Sequence, residues 1–369
     1  MPAKSLTGLI HQLEIQFDRL KNMIPGNAPV HIHLYFCFGK PGKVFLKGRV
    51  LEKKRILPVT TRDRFWVNLF NAFQRYESDE IPYAHLRILY AGHEHFIAAN
   101  EEGYFEAWLL VPEMPTDELA ILRVRLEMLE PTRLGQPQPV TETCPTIVPV
   151  DCRLGIISDI DDTVIRTDVL KPLKMLINLL FKSSRSRQPF PGTAAFYRAL
   201  AAGRQGQELN PVFYASTSPW NLYDLLVEFL NYHGFPPNPI LFLRDWGITE
   251  NEILPVDNFE HKNQFIQTVL ELFPEIGFIL IGDSGQQDPE IYAGVTDEYA
   301  GRILAIYLRE VTGSPERIES IQRMRARLAR RGVPVVLAES VLPMAEHAAG
   351  QGWISAEAID QVREHVLPH

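Results

Sequence analysis

Residues 154–163 read LGIISDIDDT, an apolar run that leads directly into three aspartates within four positions. A compact apolar run without polar alternation is the pattern of a strand buried on both faces, as in a parallel sheet. Four more such runs follow: PVFYAS at 211–216, ILFL at 240–243, FILIG at 278–282 and ILAIYL at 303–308, with intervals long enough for helices. The fold class expected is therefore α/β, a doubly wound parallel sheet. In such sheets ligands bind outside the carboxyl ends of the strands. Here those ends carry Ser158-Asp159, Ser216-Thr217-Ser218, Arg244-Asp245 and Asp283, so polar chemistry gathers at one rim.

The chain upstream has a different texture. Val30, Ile32, Leu34, Phe36 and Phe38 alternate with His31, His33, Tyr35 and Cys37, and Gly39 to Gly42 turns the chain into a hairpin. Residues 85–90, 93–98 and 104–110 read as further strands, with a turn at 100–103. Short antiparallel strands of this kind predict a smaller β-sandwich over 29–128, ahead of the α/β domain. Before it, Leu6, Ile10, Leu13, Phe17 and Leu20 recur at helical spacing, an amphipathic helix within 1–28. The stretch 129–150 is rich in proline, threonine and glutamine without a period and reads as a linker. Residues 313–369 read as a helical extension in which Ile318, Ile321, Met324 and Leu328 share a face and the arginines around them are solvated.

Composition narrows the function classes. The 369 residues, 46% hydrophobic and 22% charged, suit an ordinary globular protein long enough for two domains. A formal net charge of -8 argues against general nucleic-acid binding by phosphate neutralisation. Cys37, Cys144 and Cys152 show neither CxxC spacing nor a disulfide framework, as expected of a cytosolic protein. No secretory signal is expected at the N-terminus, and no apolar run approaches the roughly 18 residues of a membrane span.

The acidic turn after LGIIS is the centre of the chemistry. A carboxylate attacks phosphorus only when its charge is offset, and a cation held by oxygen ligands does this while polarising the phosphoryl group. Asp159 is the candidate nucleophile. Asp161, reaching back over the same turn, can protonate the leaving oxygen and later deprotonate a water. The bare DxDxT pattern arises by chance in roughly one chain of this length in twenty, and an acidic turn also caps a following helix. Other segments supply the context. The Ser216 hydroxyl can hold a phosphoryl oxygen, with Thr217 and Ser218 beside it and helix amides beyond Pro219. Lys262 can stabilise charge on phosphate and nucleophile together. Asp283, after FILIG, is the candidate metal ligand, and Asp288 an outer or alternative ligand. Arg244 can reach a phosphate or pair with Asp245. The pairs His31 with His33 and His93 with His95 lack further ligands and assign no metal site there. A phosphoacceptor receiver domain uses similar groups, but it places its acceptor after the third strand, which here ends in Arg244-Asp245.

DIDDT, a strand-ending serine, a lysine and GDxxxxD in this order resemble the four motifs of the haloacid dehalogenase (HAD) superfamily, over residues 154 to about 310. The resemblance implies a HAD-like Rossmannoid catalytic domain over 151–312 with a flap or cap inserted at 164–190, and an aspartyl-phosphate intermediate. It places Asp159 as nucleophile, Asp161 as acid and base with its backbone carbonyl on Mg2+, Ser216 and Lys262 on phosphate, and Asp283 on the metal. The wording SDIDDTVIRTDV, FPGTAAFYRAL, ASTSPWNLYDLL, LFLRDWG and FILIGDSGQQDPEIYA is similar to the actin-patch-associated phosphatidate phosphatases and their relatives of unassigned substrate. That closer resemblance implies hydrolysis of phosphatidate to diacylglycerol and phosphate. In the insertion Leu173, Met175, Leu176, Ile177, Leu179, Leu180 and Phe181 make an apolar stretch flanked by Lys171, Lys174, Lys182, Arg185 and Arg187, as for a segment that packs on its own domain or one in peripheral contact with anionic membrane. A soluble phosphomonoester as substrate, or a non-catalytic adaptor with a relic phosphatase fold, are the competing readings, and magnesium and manganese both suit the oxygen ligands.

Overall fold

The computed structural model describes residues 29–52, 80–113, 116–132, 136–149, 151–160, 163–164, 189–244, 258–311 and 314–366. The helix expected within 1–28, Asp161, and all but the ends of the 164–190 insertion lie outside the described residues.

Strands β1 (Val30–Lys40), β2 (Lys43–Glu52), β3 (His85–Tyr90), β4 (His93–Ala98) and β5 (Tyr104–Leu110) match the strands expected from the alternation. A short helix α1 (Thr116–Ala120) and β6 (Val124–Glu130) follow, then β7 (Val140–Thr143) and β8 (Thr146–Ile147). Two four-stranded sheets result, in the orders β5-β2-β1-β8 and β4-β3-β6-β7. They enclose one core that includes Val44, Leu46, Leu86, Ile88, Leu109, Val124 and Leu126.

Two expectations change here. The stretch 129–150, read as a linker, completes both sheets: β7 pairs with β6 and β8 with β1. Its prolines flank two short edge strands without entering either, so neither ladder is interrupted. The alternation in β1 is also broken, because Leu34 pairs with Gly48 and Phe36 with Lys47, leaving Tyr35 as an extra residue. The bulge shifts the phase by one. Ile32 and Cys37 therefore face the sandwich core, while Tyr35, Phe36 and Phe38 join the core of the α/β domain.

The five apolar runs become β9 (Leu154–Asp159), β10 (Val212–Pro219), β11 (Ile240–Arg244), β12 (Gly277–Asp283) and β13 (Ile303–Arg309). Between them run α2 (Thr193–Ala202), a 3-10 turn (Trp220–Leu222) with α3 (Tyr223–Tyr232), α4 (Asn258–Leu272) and α5 (Asp288–Glu298). The C-terminal segment adds α6 (Pro315–Ala329), α7 (Leu342–Gly350) and α8 (Ala356–Val366), but it is not wholly helical: β14 (Val335–Ala338) pairs with β13. Its sequence VPVVLA is too short for a confident period, and its partner supplies the missing half of the signal.

All five pairings of this six-stranded sheet are parallel, in the order β11-β10-β9-β12-β13-β14. Counted along the domain this is 3-2-1-4-5-6, so the direction of winding reverses between β9 and β12. Among the described residues no helix is long and apolar enough to cross a membrane.

Candidate active site

The reversal between β9 and β12 opens a crevice at their carboxyl ends. Asp159 ends β9 and Asp283 ends the adjacent β12, while Ala215 of β10 is the partner of Asp159 on the other side. The topology thus brings together acids that are more than a hundred positions apart in the chain.

Lys262, from the beginning of α4, sits between two carboxylates: its Nζ is 2.9 Å from Asp159 Oδ1 and 2.5 Å from Asp288 Oδ1. The other oxygen of Asp288 accepts from the Asp283 amide at 3.0 Å. Gly282 is required by this approach, since a Cβ there would lie 2.3 Å from Asp288 Oδ2. Asp283 closes the turn after β12, its Oδ1 accepting from the amides of Gly285 at 2.6 Å and Gln286 at 2.9 Å. Asp283 Oδ2 is buried and has no hydrogen-bond partner among the described residues.

The electrostatics are unbalanced. Asp159, Asp283 and Asp288 are 1%, 1% and 0% exposed, and Lys262, at 5%, is the ammonium among them. Burial acts against the Lys262 charge, but the carboxylates of Asp159 and Asp288 outweigh it and raise its pKa. Asp283 is pushed up to about 7 by burial and by the charge of Asp288, against the opposing amides of Gln286 and Gly285 and the Lys262 ammonium. Among the described residues, three buried carboxylates stand beside one ammonium, an arrangement that favours a proton or a cation joining them. Carboxylate oxygens of Asp159, Asp283 and Asp288 lie within 4.8 Å of one another. An all-oxygen set with one unpartnered buried oxygen fits a hard divalent cation such as Mg2+.

On the β10 side, Ser216 and Ser218 are both buried, and the Ser218 amide donates to Ser216 Oγ at 3.0 Å. Ser218 Oγ and Thr163 Oγ1 are buried without a hydrogen-bond partner among the described residues. The side chains of Thr217 and Arg244 lie outside the description, although Arg244 ends β11 in register with Pro219. Trp220 and Tyr223, which follow the serines, are buried against β1.

Two contributors were not legible in the sequence. Arg317 of α6 braces the acidic turn from behind: its Nε donates to the Ser284 carbonyl at 2.9 Å, and its other nitrogens reach the Gln286 carbonyl and the Glu290 carboxylate. Ser158 Oγ lies 2.6 Å from the Tyr197 hydroxyl and donates to the Asp159 carbonyl at 2.7 Å, tying α2 to the end of β9. Both contacts join segments distant in sequence, and neither follows a local motif.

Residues 154–310 match the family model "Phosphatidate phosphatase APP1, catalytic domain". The chain is 31% identical over 188 residues to phosphatidate phosphatase APP1 of Saccharomyces cerevisiae, an alignment covering 50% of this chain and 31% of that protein. It is 30% identical over 219 residues to an uncharacterized protein of Schizosaccharomyces pombe, covering 58% of this chain and 34% of the relative. The chain thus spans about a third of the length of each of these relatives. A solved carbohydrate acetylesterase from Xanthomonas citri superposes with a TM-score of 0.28 at 8% identity, over 92% of this chain and 73% of that one, which is too loose to bear on the fold. Asp159, Ser216, Lys262, Asp283 and Asp288 all lie inside the segment, residues 154–310, that is similar to the APP1-type phosphatidate phosphatase catalytic domain.

Proposed function

We propose that the protein is a magnesium-dependent phosphatase of the HAD type that works through an aspartyl-phosphate on Asp159 and hydrolyses phosphatidate to diacylglycerol and phosphate. The observation that carries this is the buried cluster in which Lys262 bonds Asp159 and Asp288 while Asp283 Oδ2, nearby, has no hydrogen-bond partner among the described residues. The phosphatidate assignment draws on the name of the yeast relative and its family model. Peripheral contact with anionic membrane through the 164–190 insertion belongs to the same reading.

In this scheme Asp159 Oδ attacks phosphorus and the ester oxygen leaves with a proton from Asp161. Water, giving its proton back to Asp161, then attacks the acyl phosphate and releases inorganic phosphate, restoring the Asp159 carboxylate. Ser216 and Ser218 hold phosphoryl oxygens, and Lys262 neutralises charge on both nucleophile and phosphate. A divalent cation held by Asp159 and Asp283 would offset the negative charge of nucleophile and phosphate and polarise the phosphoryl group. Asp288 has one oxygen on Lys262 and the other on the Asp283 amide, which suits a holder of the lysine and the loop better than a direct ligand.

The test is activity of the full chain on a panel of phosphate esters with added magnesium, with phosphatidate presented in mixed micelles. Phosphatidate is expected to be turned over and Asp159→Asn to abolish turnover while the chain stays folded. Good hydrolysis of sugar or nucleotide phosphates with phosphatidate untouched would reassign the substrate to a soluble ester. Undiminished activity in Asp159→Asn would remove the nucleophile, and no hydrolysis of any ester would favour a relic fold serving as an adaptor.

A further inference from the structure

The bulge that places Tyr35 outside the β1–β2 ladder lies against the segment read as the phosphate holder. The rings of Tyr35 and Trp220 are 4.6 Å apart with planes 30° from parallel, and Phe36 stands 6.0 Å from Trp220. Lys47, the ladder partner of Phe36, holds its Nζ 5.0 Å from the Trp220 ring centroid. The Tyr223 hydroxyl donates to the Tyr35 carbonyl, and the two rings are 5.0 Å apart. Trp220 is buried and follows Ser216–Pro219 directly.

Those four residues have little ladder of their own. Pairing of β10 with β9 ends at Ala215, and its register with β11 breaks between Ala215 and Pro219. With so little ladder, what packs on the residues that follow bears on where Ser216 to Ser218 sit. Among the described residues Tyr35 of the sandwich holds the nearest ring to Trp220, 4.6 Å away, and it sits at a bulge, a device that re-aims side chains and recurs beside active sites.

We propose that Tyr35 is a positioning residue for the phosphate-binding segment: the sandwich holds Trp220 and through it sets the Ser216 and Ser218 hydroxyls where a phosphoryl group binds. The inference rests on the phosphatase reading above. It gives the N-terminal domain a part in turnover, as a rigid support built into the same chain, because a binding group displaced by about 1 Å loses much of its effect.

The test uses the full chain, with inorganic phosphate as the probe, and compares Tyr35→Ala, Tyr35→Phe and Ile88→Val. Ile88→Val perturbs the sandwich core away from the interface. Tyr35→Ala is expected to weaken phosphate binding and raise KM by about 3- to 10-fold, the scale of a lost aromatic contact. The magnesium activation constant, governed by Asp283 on β12, stays unchanged. Tyr35→Phe restores phosphate affinity because the ring remains, and Ile88→Val leaves it at the wild-type value. If Tyr35→Ala does not fold, Tyr223→Phe, which removes only the hydroxyl on the Tyr35 carbonyl, is expected to shift phosphate affinity in the same direction by a smaller factor. Wild-type phosphate affinity in folded Tyr35→Ala, or in Tyr223→Phe where that one is used, overturns the inference, as does an equal loss in Ile88→Val. A wild-type chain that neither hydrolyses esters nor binds phosphate overturns the phosphatase reading and this inference with it.

Discussion

Asp283 concentrates the electrostatic problem of the site in one carboxyl group. Unfolded, it ionises near its ordinary value of 3.8, and in the folded chain burial and Asp288 raise that to about 7. Between the two values the folded state holds a proton that the unfolded state has lost, so this group's contribution to stability falls as pH rises from about 4 to about 7 and is level above that. Asp283→Asn removes the titration. Without divalent cation the variant's stability relative to wild type should therefore improve from pH 4 to pH 7, as read by urea unfolding at each pH. Added magnesium should recover wild-type stability above pH 7 and leave the variant nearly unaffected. A stability difference independent of pH would mean that the carboxyl ionises freely in the fold. At this scale the sequence was informative about residue type and silent about pairing. Asp159, Lys262, Asp283 and Asp288 follow from acidic or basic residues placed beside buried apolar runs, a local signal. That Lys262 would bond both Asp159 and Asp288 depends on how α4 leans over the crevice, which no local pattern encodes.

The elements differ in how completely the sequence describes them. β9 to β13 were legible because burial on both faces leaves an unmixed apolar run, whereas β7, β8 and β14 were not, because edge strands of two to four residues carry too few positions for a period. Helix α6 shows the cost of reading an arginine by its neighbours alone. Its exposed arginines resemble a solvated basic face, and most of them are, yet Arg317 in its first turn donates to two carbonyls of the turn after β12 and to the Glu290 carboxylate at the start of α5. A planar fork with several donors satisfies that geometry, and a single ammonium does not. Both Arg317→Ala and Arg317→Lys should therefore loosen the turn that presents Asp283 and weaken divalent-cation binding by about 10-fold, as outer supports of metal ligands commonly do. Calorimetric titration with manganese would measure it. Wild-type cation affinity in both variants would show that the turn holds its shape without α6.

At the scale of the whole molecule the boundary between sandwich and α/β domain is a shared core, and this was hidden because a bulge, invisible to a count of alternating residues, sends one face of β1 across it. Phe38 is 1% exposed and has ring neighbours on both sides: Phe45 at 5.9 Å in the sandwich, and Phe213 at 5.7 Å, Phe242 at 5.9 Å and Phe273 at 6.4 Å in the α/β domain. Separating the two would bare an aromatic face on each, a burial loss far larger than the cost of ordering one interface side chain. The described chain should accordingly unfold as one cooperative unit, with calorimetric and van't Hoff enthalpies in agreement. Phe38→Ala, which leaves a cavity between the domains, should destabilise that single transition by about 3 to 5 kcal/mol. Were the sandwich an independent module, scanning calorimetry would instead resolve two transitions, and the substitution would move the smaller one while the transition of the α/β domain kept its midpoint. One transition, displaced as a whole, requires that the N-terminal sheets and the catalytic crevice share a single stability, so that a variant destabilising the sandwich lowers the temperature at which the folded site is lost, whatever its affinity below that temperature.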